Sequence, residues 1–560
     1  MKAWAHWLLY GMAIALGVFV YFFDLGGQHI PKNGDEYPYA HIVRLTAASG
    51  HFLPLQSELT DMRNTKPPLL FWQGIASTHW GQDWTLFQLR YPSVIYTLAT
   101  ALLVFLLGWR LSRETATGFS GALAFLAFFS TYRFGRPFLT NPPEVFWLFL
   151  PFFILLYWQA TAFASRLLPL LLGAIIGIGL LYKSFALLLP VGLGLSWWYL
   201  RERQYRIGPF LRQDAWKLAL IALISLALFS LWFILDPEPQ AIWQEFVVKE
   251  NAGKFDPQSG GYLSKLLWGG SSFWVLALGY PVNAGLLAFP VLGLMMAALR
   301  RPKELSGPER MLWIWLFVML VVFSLPSQRS SRYLLAAMPA LAVLCALGWS
   351  RISRSWFAMT LILAAITVAA LGYLSYRLQL AMPSLDLYPA PYWLLLGATL
   401  AVAVAAIALP ALTRPGASVA TLLVFLSLAA FLRPFEGPPG LYTSATQQRV
   451  AGREVWVPYD FNAGFERYRF LLPAAGIKGY EEQREPDVAV LARRYPLFIV
   501  RLPLEAAVCA GCRLISERLD LRGRHSPAEM NEILQGKVFG NLFLKEMLIE
   551  SSLASGAGKP

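Results

Sequence analysis

Thirteen runs of apolar residues, each near the length a helix needs to cross the roughly 30 Å hydrocarbon core of a bilayer, dominate this 560-residue chain. No soluble globular fold has room for so much continuous apolar sequence, and only 14% of the residues are charged. The first run extends from Trp7 to Phe23, and the others are expected at about 91–109, 115–131, 144–160, 166–181, 184–200, 218–235, 273–298, 311–325, 333–349, 356–375, 392–411 and 418–433. The first follows Lys2 and has no small-residue cleavage site before Asp24, so it reads as a retained helix with its amino terminus in the cytoplasm. Trp, Phe and Tyr gather near the ends of the runs, where amphipathic rings anchor at the membrane surfaces.

The net charge of +14 would suggest nucleic-acid binding in a soluble protein. Here its distribution gives topology instead. If the runs alternate from a cytoplasmic start, the inside segments carry Lys2; Arg110 and Arg113; Arg166; Arg201, Arg203, Arg206, Arg212 and Lys217; Arg300, Arg301, Lys303 and Arg310; Arg351 and Arg354; and Arg414. The outside connections after the first loop are longer in total and carry fewer cations, in accord with the positive-inside rule. Those that remain outside, among them Arg133, Arg136, Lys183, Lys254, Arg329 and Arg332, need another reason to be there. An odd number of crossings puts everything after Arg433 outside, which in a bacterium is the periplasm.

Two stretches are not membrane-like. The loop from about Asp24 to Arg90 is far too long for a turn, and its segments Tyr39–Leu45 and Pro68–Ile75 suit short helices lying along the membrane surface. Residues 436–560 have mixed polarity. Within them 454–457 and 497–500 read as strands, Asp487 to Arg494 as a helix, and Ser526-Pro527-Ala528-Glu529 as a capped helix start. The expected architecture is therefore an all-α polytopic membrane domain over residues 1–435, including the periplasmic loop 24–90, followed by a small α/β periplasmic domain over 436–560.

Cys509 and Cys512 lie in that second domain, where an oxidising compartment favours a disulfide between them. A redox motif lacks its strand-to-helix context, and a zinc site would need two more ligands with only His525 nearby. Cys345 falls in a membrane run and reads as an inert core residue. There is no P-loop, no dinucleotide fingerprint and no internal duplication.

Chemistry concentrates just beyond the first membrane run, in Gly34-Asp35-Glu36-Tyr37-Pro38-Tyr39-Ala40. Exposed acids are usually only solvated. Thirty residues later, however, Lys66 is followed by two prolines that stiffen the chain, and a lysine held rigidly near a carboxylate pair can receive an anionic group. Asp35, Glu36 and His41 alone are too few, in too long a loop, to indicate a metal site.

The acidic pair after helix one, the Lys66-Pro67-Pro68-Leu69 motif closing the same loop, and many helices followed by a terminal soluble domain resemble the C-type (GT-C) membrane glycosyltransferases. The likeness is to the branch of the bacterial aminoarabinose transferases and protein mannosyltransferases. Leu139-Thr140-Asn141-Pro142-Pro143-Glu144, Tyr182-Lys183-Ser184, Phe246 to Phe255, and Phe323 to Leu335 resemble further family segments, so that the likeness covers about residues 20–350. All of these stretches fall on the outer face in the topology read independently from charge.

The resemblance implies an inverting transferase that moves a sugar from a polyprenyl (undecaprenyl) phosphate carrier to a cell-envelope acceptor such as lipid A, another glycan or a protein. No cofactor is implied and no divalent metal is indicated. Asp35 would orient or deprotonate the acceptor, with Glu36 as neighbour or substitute. Lys66, Lys183, Arg133, Arg136, Lys254, Arg329 and Arg332 would bind the donor phosphate, and Tyr37, Asn141 and Glu144 would line the sugar or acceptor site. The chain departs from the aminoarabinose transferases in having Thr65 where they carry Glu before Lys-Pro-Pro, and Asn141 where the family has Asp. A neutral donor sugar suits those changes. A transporter or flippase of lipid-linked glycans is the alternative, although repeated halves with interrupted helices are not apparent. An assembly protein that binds a partner through its terminal domain is a third reading.

Overall fold

The computed structural model describes residues 3–30, 34–254, 262–269, 272–459, 463–481, 487–522 and 525–553. Seven helices are α1 (Ala3–Phe22), α2 (Glu36–Ala48), α3 (Leu69–Ser77), α4 (Leu86–Ser112), α5 (Thr115–Ala127), α6 (Phe129–Gly135) and α7 (Asn141–Trp158). The later membrane helices are Leu168–Tyr182, Leu188–Glu202, Ala215–Leu235, Gly279–Arg300, Gly307–Ser324, Met338–Leu347, Arg354–Ala381, Ala390–Ala408 and Pro410–Leu432. Helix is thus found in every expected apolar run. Among the described residues seven helices are long and apolar enough to cross a membrane, and four more apolar helices are shorter. The chain is a multi-pass membrane protein.

The departures from uninterrupted helices have local causes, and they matter for the site. The run expected at 115–131 breaks at Phe128, whose extended backbone separates α5 from α6. The run expected at 273–298 is interrupted at Gly285, which has φ +63 and where a side chain would collide with Phe129. The run at 333–349 begins as a 3-10 helix, Ser331–Ala337, because Pro339 has no N–H to return to the carbonyl of Leu335. Ser330 caps that turn by accepting the Arg332 N–H, which fixes Arg332 at its mouth.

The expected short helices of the first loop are α2 and α3, and they pack on other parts of the chain. The residues from Glu36 to Val43 in α2 are all buried, because the helix is sandwiched between α3 on one side and the terminal domain on the other. His41 Nδ1 meets Glu466 Oε2 at 3.0 Å, and Arg44 Nε donates to Glu466 Oε1 at 2.7 Å. Burial alone would raise the Glu466 carboxyl, but the hydrogen bonds from His41 and Arg44 hold it below the usual carboxylate range.

That terminal domain carries a five-stranded mixed sheet in the order β2-β1-β3-β5-β4: β1 (Glu454–Tyr459), β2 (Gly476–Glu481), β3 (Leu497–Leu502), β4 (Cys512–Leu521) and β5 (Phe543–Ser551). β1 runs parallel to β2 and β3, and β5 runs antiparallel to β3 and β4. The expected strands at 454–457 and 497–500 are β1 and β3, the expected helix is Val488–Arg494, and the capping box of Ser526 and Glu529 opens the helix Pro527–Leu534. Cys509 and Cys512 form the expected disulfide. Cys345 is buried and free.

Candidate functional site

Neighbouring carboxylates at the start of α2 face opposite ways. Glu36 is fully buried and takes Arg90 Nε and Nη2 at 2.7 and 2.9 Å, together with the Phe138 N–H at 2.9 Å. Arg90 completes the clamp by donating to the carbonyls of Leu25 and Gly27 at 2.8 and 2.6 Å. This sealed pair ties the beginning of the first loop to α4 and leaves Glu36 no open face, so it is not the substitute for Asp35 that the sequence suggested. Asp35, one residue earlier, turns outward. Its Oδ2 accepts from Arg332 Nη1 at 2.5 Å, with two-fifths of the side chain exposed.

A continuous polar chain runs on from that contact. Arg332 Nε donates to Asn141 Oδ1 at 2.9 Å, Asn141 Nδ2 donates to Glu144 Oε2 at 3.1 Å, and Lys183 Nζ donates to the same Glu144 oxygen at 2.5 Å. Asn141 and Glu144 share a face of the first turn of α7, three residues apart. Lys183 stands at the carboxyl end of Leu168–Tyr182. Burial lowers its ammonium from the ordinary lysine range, opposed by Glu144 and reinforced by the nearby Arg332 and Lys66. Tyr39 is buried within electrostatic reach of Asp35, Arg332, Glu250 and Glu144.

Lys66 approaches from the other side. Pro67 and Pro68 lead directly into α3, and Lys66 Nζ is held by Glu250 Oε1 at 2.5 Å and by the Thr65 carbonyl at 2.9 Å. Glu250 belongs to a π-helical turn, Trp243–Asn251, which also holds the Asn64 N–H through Glu245 and Asp61 through Lys249. Arg133 and Arg332 both pack on the ring of Phe134 with their guanidinium carbons 5.2 Å from its centre. Among the described residues Arg133 has no hydrogen-bond or ion-pair partner, which leaves its donors available.

Other expected site residues are occupied elsewhere. Arg136 is fully buried and donates to the carbonyls of Tyr21 and Phe23 and to the Tyr132 hydroxyl, so it fastens the end of α1 to α6 and is not part of a cationic rim. Arg329 is nearly buried, with Nε on the Ser324 carbonyl at 2.7 Å. Tyr37 is buried and donates to Gln28 Oε1 at 3.1 Å. The side chain of Lys254 lies outside the described residues. Asp35, Glu36 and His41 each meet a different partner and do not converge. Glu250, Tyr39 and Arg90 were not singled out by the sequence. Arg90 had a signal, since an arginine opening a membrane helix needs a partner.

Residues 34–244 match the dolichyl-phosphate-mannose-protein mannosyltransferase family. Among curated proteins, the chain is 28% identical over 369 residues to the undecaprenyl phosphate-alpha-4-amino-4-deoxy-L-arabinose arabinosyl transferase 1 of Sodalis glossinidius, covering 60% of this chain and 59% of that one. It is 30% identical to the corresponding transferase of Pseudomonas aeruginosa strain UCBPP-PA14, covering 65% of each. The chain therefore spans about six tenths of the length of these relatives. The crystal structure of ArnT from Cupriavidus metallidurans superimposes with a TM-score of 0.61 at 18% identity, over 99% of this chain and 100% of that one, and a second structure of that protein, bound to undecaprenyl phosphate, superimposes equally well. Over residues 34–244 this multi-pass membrane protein thus resembles the dolichyl-phosphate-mannose-protein mannosyltransferase family, and it has the fold of ArnT.

Proposed function

We propose that the chain is an inverting glycosyltransferase that takes a sugar from a polyprenyl phosphate, of undecaprenyl type, and gives it to a cell-envelope acceptor. The observation that carries this reading is the meeting of an outward carboxylate, Asp35, with Arg332, Lys183, Lys66 and Arg133, the last with no ion-pair partner among the described residues, from widely separated segments of the chain. The acceptor oxygen attacks the anomeric carbon, the bond from that carbon to the phosphate oxygen breaks, and the polyprenyl phosphate departs with the bonding pair. Asp35 orients the acceptor and takes its proton. The cations stabilise the charge gathering on the leaving phosphate, which counts for more beside a low-dielectric boundary than in water.

Three of the four cations are paired before the donor arrives. Asp35, Glu144 and Glu250 face Arg332, Lys183 and Lys66, so an incoming phosphate competes with these carboxylates for their cations. Of the three pairs Arg332–Asp35 is the most open to the solvent, Lys66–Glu250 comes next, and Lys183–Glu144 is the most enclosed. Asn141 spends its carbonyl on Arg332 and its amide on Glu144, and so presents no carboxylate to a sugar. With Thr65 in place of an acid, this favours a neutral donor sugar over a cationic one. Lipid A, another glycan and a protein are the acceptors proposed.

The transferase domain comprises residues 1–435 and the terminal domain 436–560. The amino terminus is cytoplasmic, and the first loop, the cation cluster and the terminal domain are periplasmic, in a bacterial inner membrane. Charge bias supports this orientation, and the docking of α2 on Glu466 supports placing the first loop and the terminal domain on the same side. The test is binding of undecaprenyl phosphate to purified protein in nanodiscs. Wild type binds saturably and Lys66→Ala together with Arg133→Ala weakens binding at least tenfold. Equal binding by both would overturn the site, and active movement of a lipid-linked glycan across proteoliposomes without sugar transfer would favour the flippase.

A further inference from the structure

A second cationic place lies far along the chain from the cluster around Asp35, where the terminal domain meets the membrane. The helix Arg354–Ala381 has 28 residues and a length of about 42 Å, more than the hydrocarbon core requires, so its ends stand in the headgroup layers. Its last turns expose Tyr373, Tyr376 and Leu380, aromatic and apolar side chains of the kind that mark the interface. Against that end rests the turn between the helices Pro527–Leu534 and Val538–Leu542. Gly536 has φ +98 and packs so closely on the Arg377 guanidinium that a side chain would collide with it, and Arg377 Nη2 donates to the Gly536 carbonyl at 2.8 Å.

The junction leaves a cleft of about 300 Å³ lined by Arg377, Leu380, Ala381, Lys537, Val538 and Phe539. Among the described residues two cations and no acid line it. Lys537 is exposed and its ammonium has no partner among the described residues. The nearest acids of the domain helix are engaged elsewhere, Glu529 with Arg522 and Glu532 with Asn541. On the domain helix that leads into this turn, Pro527–Leu534, Met530 and Leu534 stand 46% and 73% exposed, while Ile533 is buried. Leu380 is 57% exposed on the membrane helix. Exposed apolar side chains thus occur both on the membrane helix and on the domain helix that leads into the cleft, the composition expected where a domain meets lipid.

We infer that this cleft is a binding site for an anionic phospholipid of the surrounding bilayer, with the headgroup phosphate between Arg377 and Lys537 and the acyl chains along Leu380 and Leu534. The site fastens the terminal domain to the membrane at a point distinct from the sugar-transfer site and does not depend on the transferase reading. Two basic side chains at a membrane surface give a preference for anionic lipid on the order of tenfold.

The test uses full-length protein in nanodiscs of equal phosphatidylglycerol and phosphatidylcholine, with native mass spectrometry of the lipids retained on transfer to detergent. Wild type should retain phosphatidylglycerol in about tenfold excess. Arg377→Gln with Lys537→Gln should remove that excess, and Arg377→Lys should keep it. Met530→Ser with Leu534→Ser, which leaves both cations in place, should lower the amount of lipid retained. An unchanged excess in the doubly neutralised variant, no excess in wild type, or displacement of the lipid by millimolar inorganic phosphate would each overturn the inference.

Discussion

Replacing Lys183 by Met removes one cation from the site and strands its partner. Glu144 is 1% exposed and receives two donors among the described residues, Lys183 Nζ at 2.5 Å and Asn141 Nδ2 at 3.1 Å. Leaving a buried carboxylate with one neutral donor costs about 3–5 kcal/mol, and the 15% exposure of Lys183 places the loss near the lower end. Changing Glu144 to Gln as well removes the stranded charge, and the double variant should recover to within about 1 kcal/mol of wild type. Turnover should not follow. If Lys183 stabilises the leaving phosphate, the double variant still lacks a preorganised donor, a loss of about 10²–10³-fold in kcat. Thermal unfolding in nanodiscs reads the first quantity and transfer of radiolabelled sugar from a polyprenyl carrier reads the second. A double variant that regains both stability and turnover would refute the reasoning and make Lys183 and Glu144 a purely architectural pair.

Glu36→Gln and Arg90→Met should each lower stability by about 3–5 kcal/mol, because each strands a fully buried charge, and combining them should restore much of it; thermal unfolding checks this. Glu250→Gln frees Lys66 and should lower the KM for the donor a few-fold, by about 1 kcal/mol, with kcat little changed in the steady-state assay. The lowered Lys183 ammonium loses its proton at a lower pH than an ordinary lysine, so kcat/KM should fall on the alkaline side below pH 10.5, and Lys183→Arg should move that limb upward in a pH profile. The depressed Glu466 carboxyl contributes stability that is present above its unfolded value of about 4.3 and is lost as pH falls through the folded value. Limited proteolysis should therefore show the terminal domain loosening from α2 at acid pH, and Glu466→Gln should loosen it already at neutral pH.

The membrane helices were legible because twenty apolar residues in a row have few other fates. Their interruptions were not, since Gly285 and Pro339 act through collisions and missing donors that appear only once neighbours are placed. β3 could be read from Leu497 to Val500, whose side chains are buried on both faces, whereas β5 could not. It buries Glu546 beneath Arg518, Tyr442 and Tyr468, and such a charged position in a central strand looks like surface in the sequence. Motif and topology together singled out Asp35, Lys66, Lys183, Arg133 and Arg332, the residues of the proposed site. Adjacency misled at Glu36, whose charge serves Arg90, and the positive outer face misled at Arg136, whose donors close on backbone carbonyls. Glu250 was hidden because its partner is 184 residues away.

The central claim is that Asp35 performs chemistry on a lipid-linked sugar, and mass spectrometry of the polyprenyl-phosphate sugars and envelope glycolipids tests it most directly, in cells with wild-type protein, no protein, and Asp35→Asn. Loss of the base should slow turnover by about 10²–10⁴-fold, so the deletion and Asp35→Asn cells should both accumulate one polyprenyl-phosphate sugar and both lose that sugar from one acceptor. Asp35→Asn cells that match wild type while the deletion differs would contradict the account.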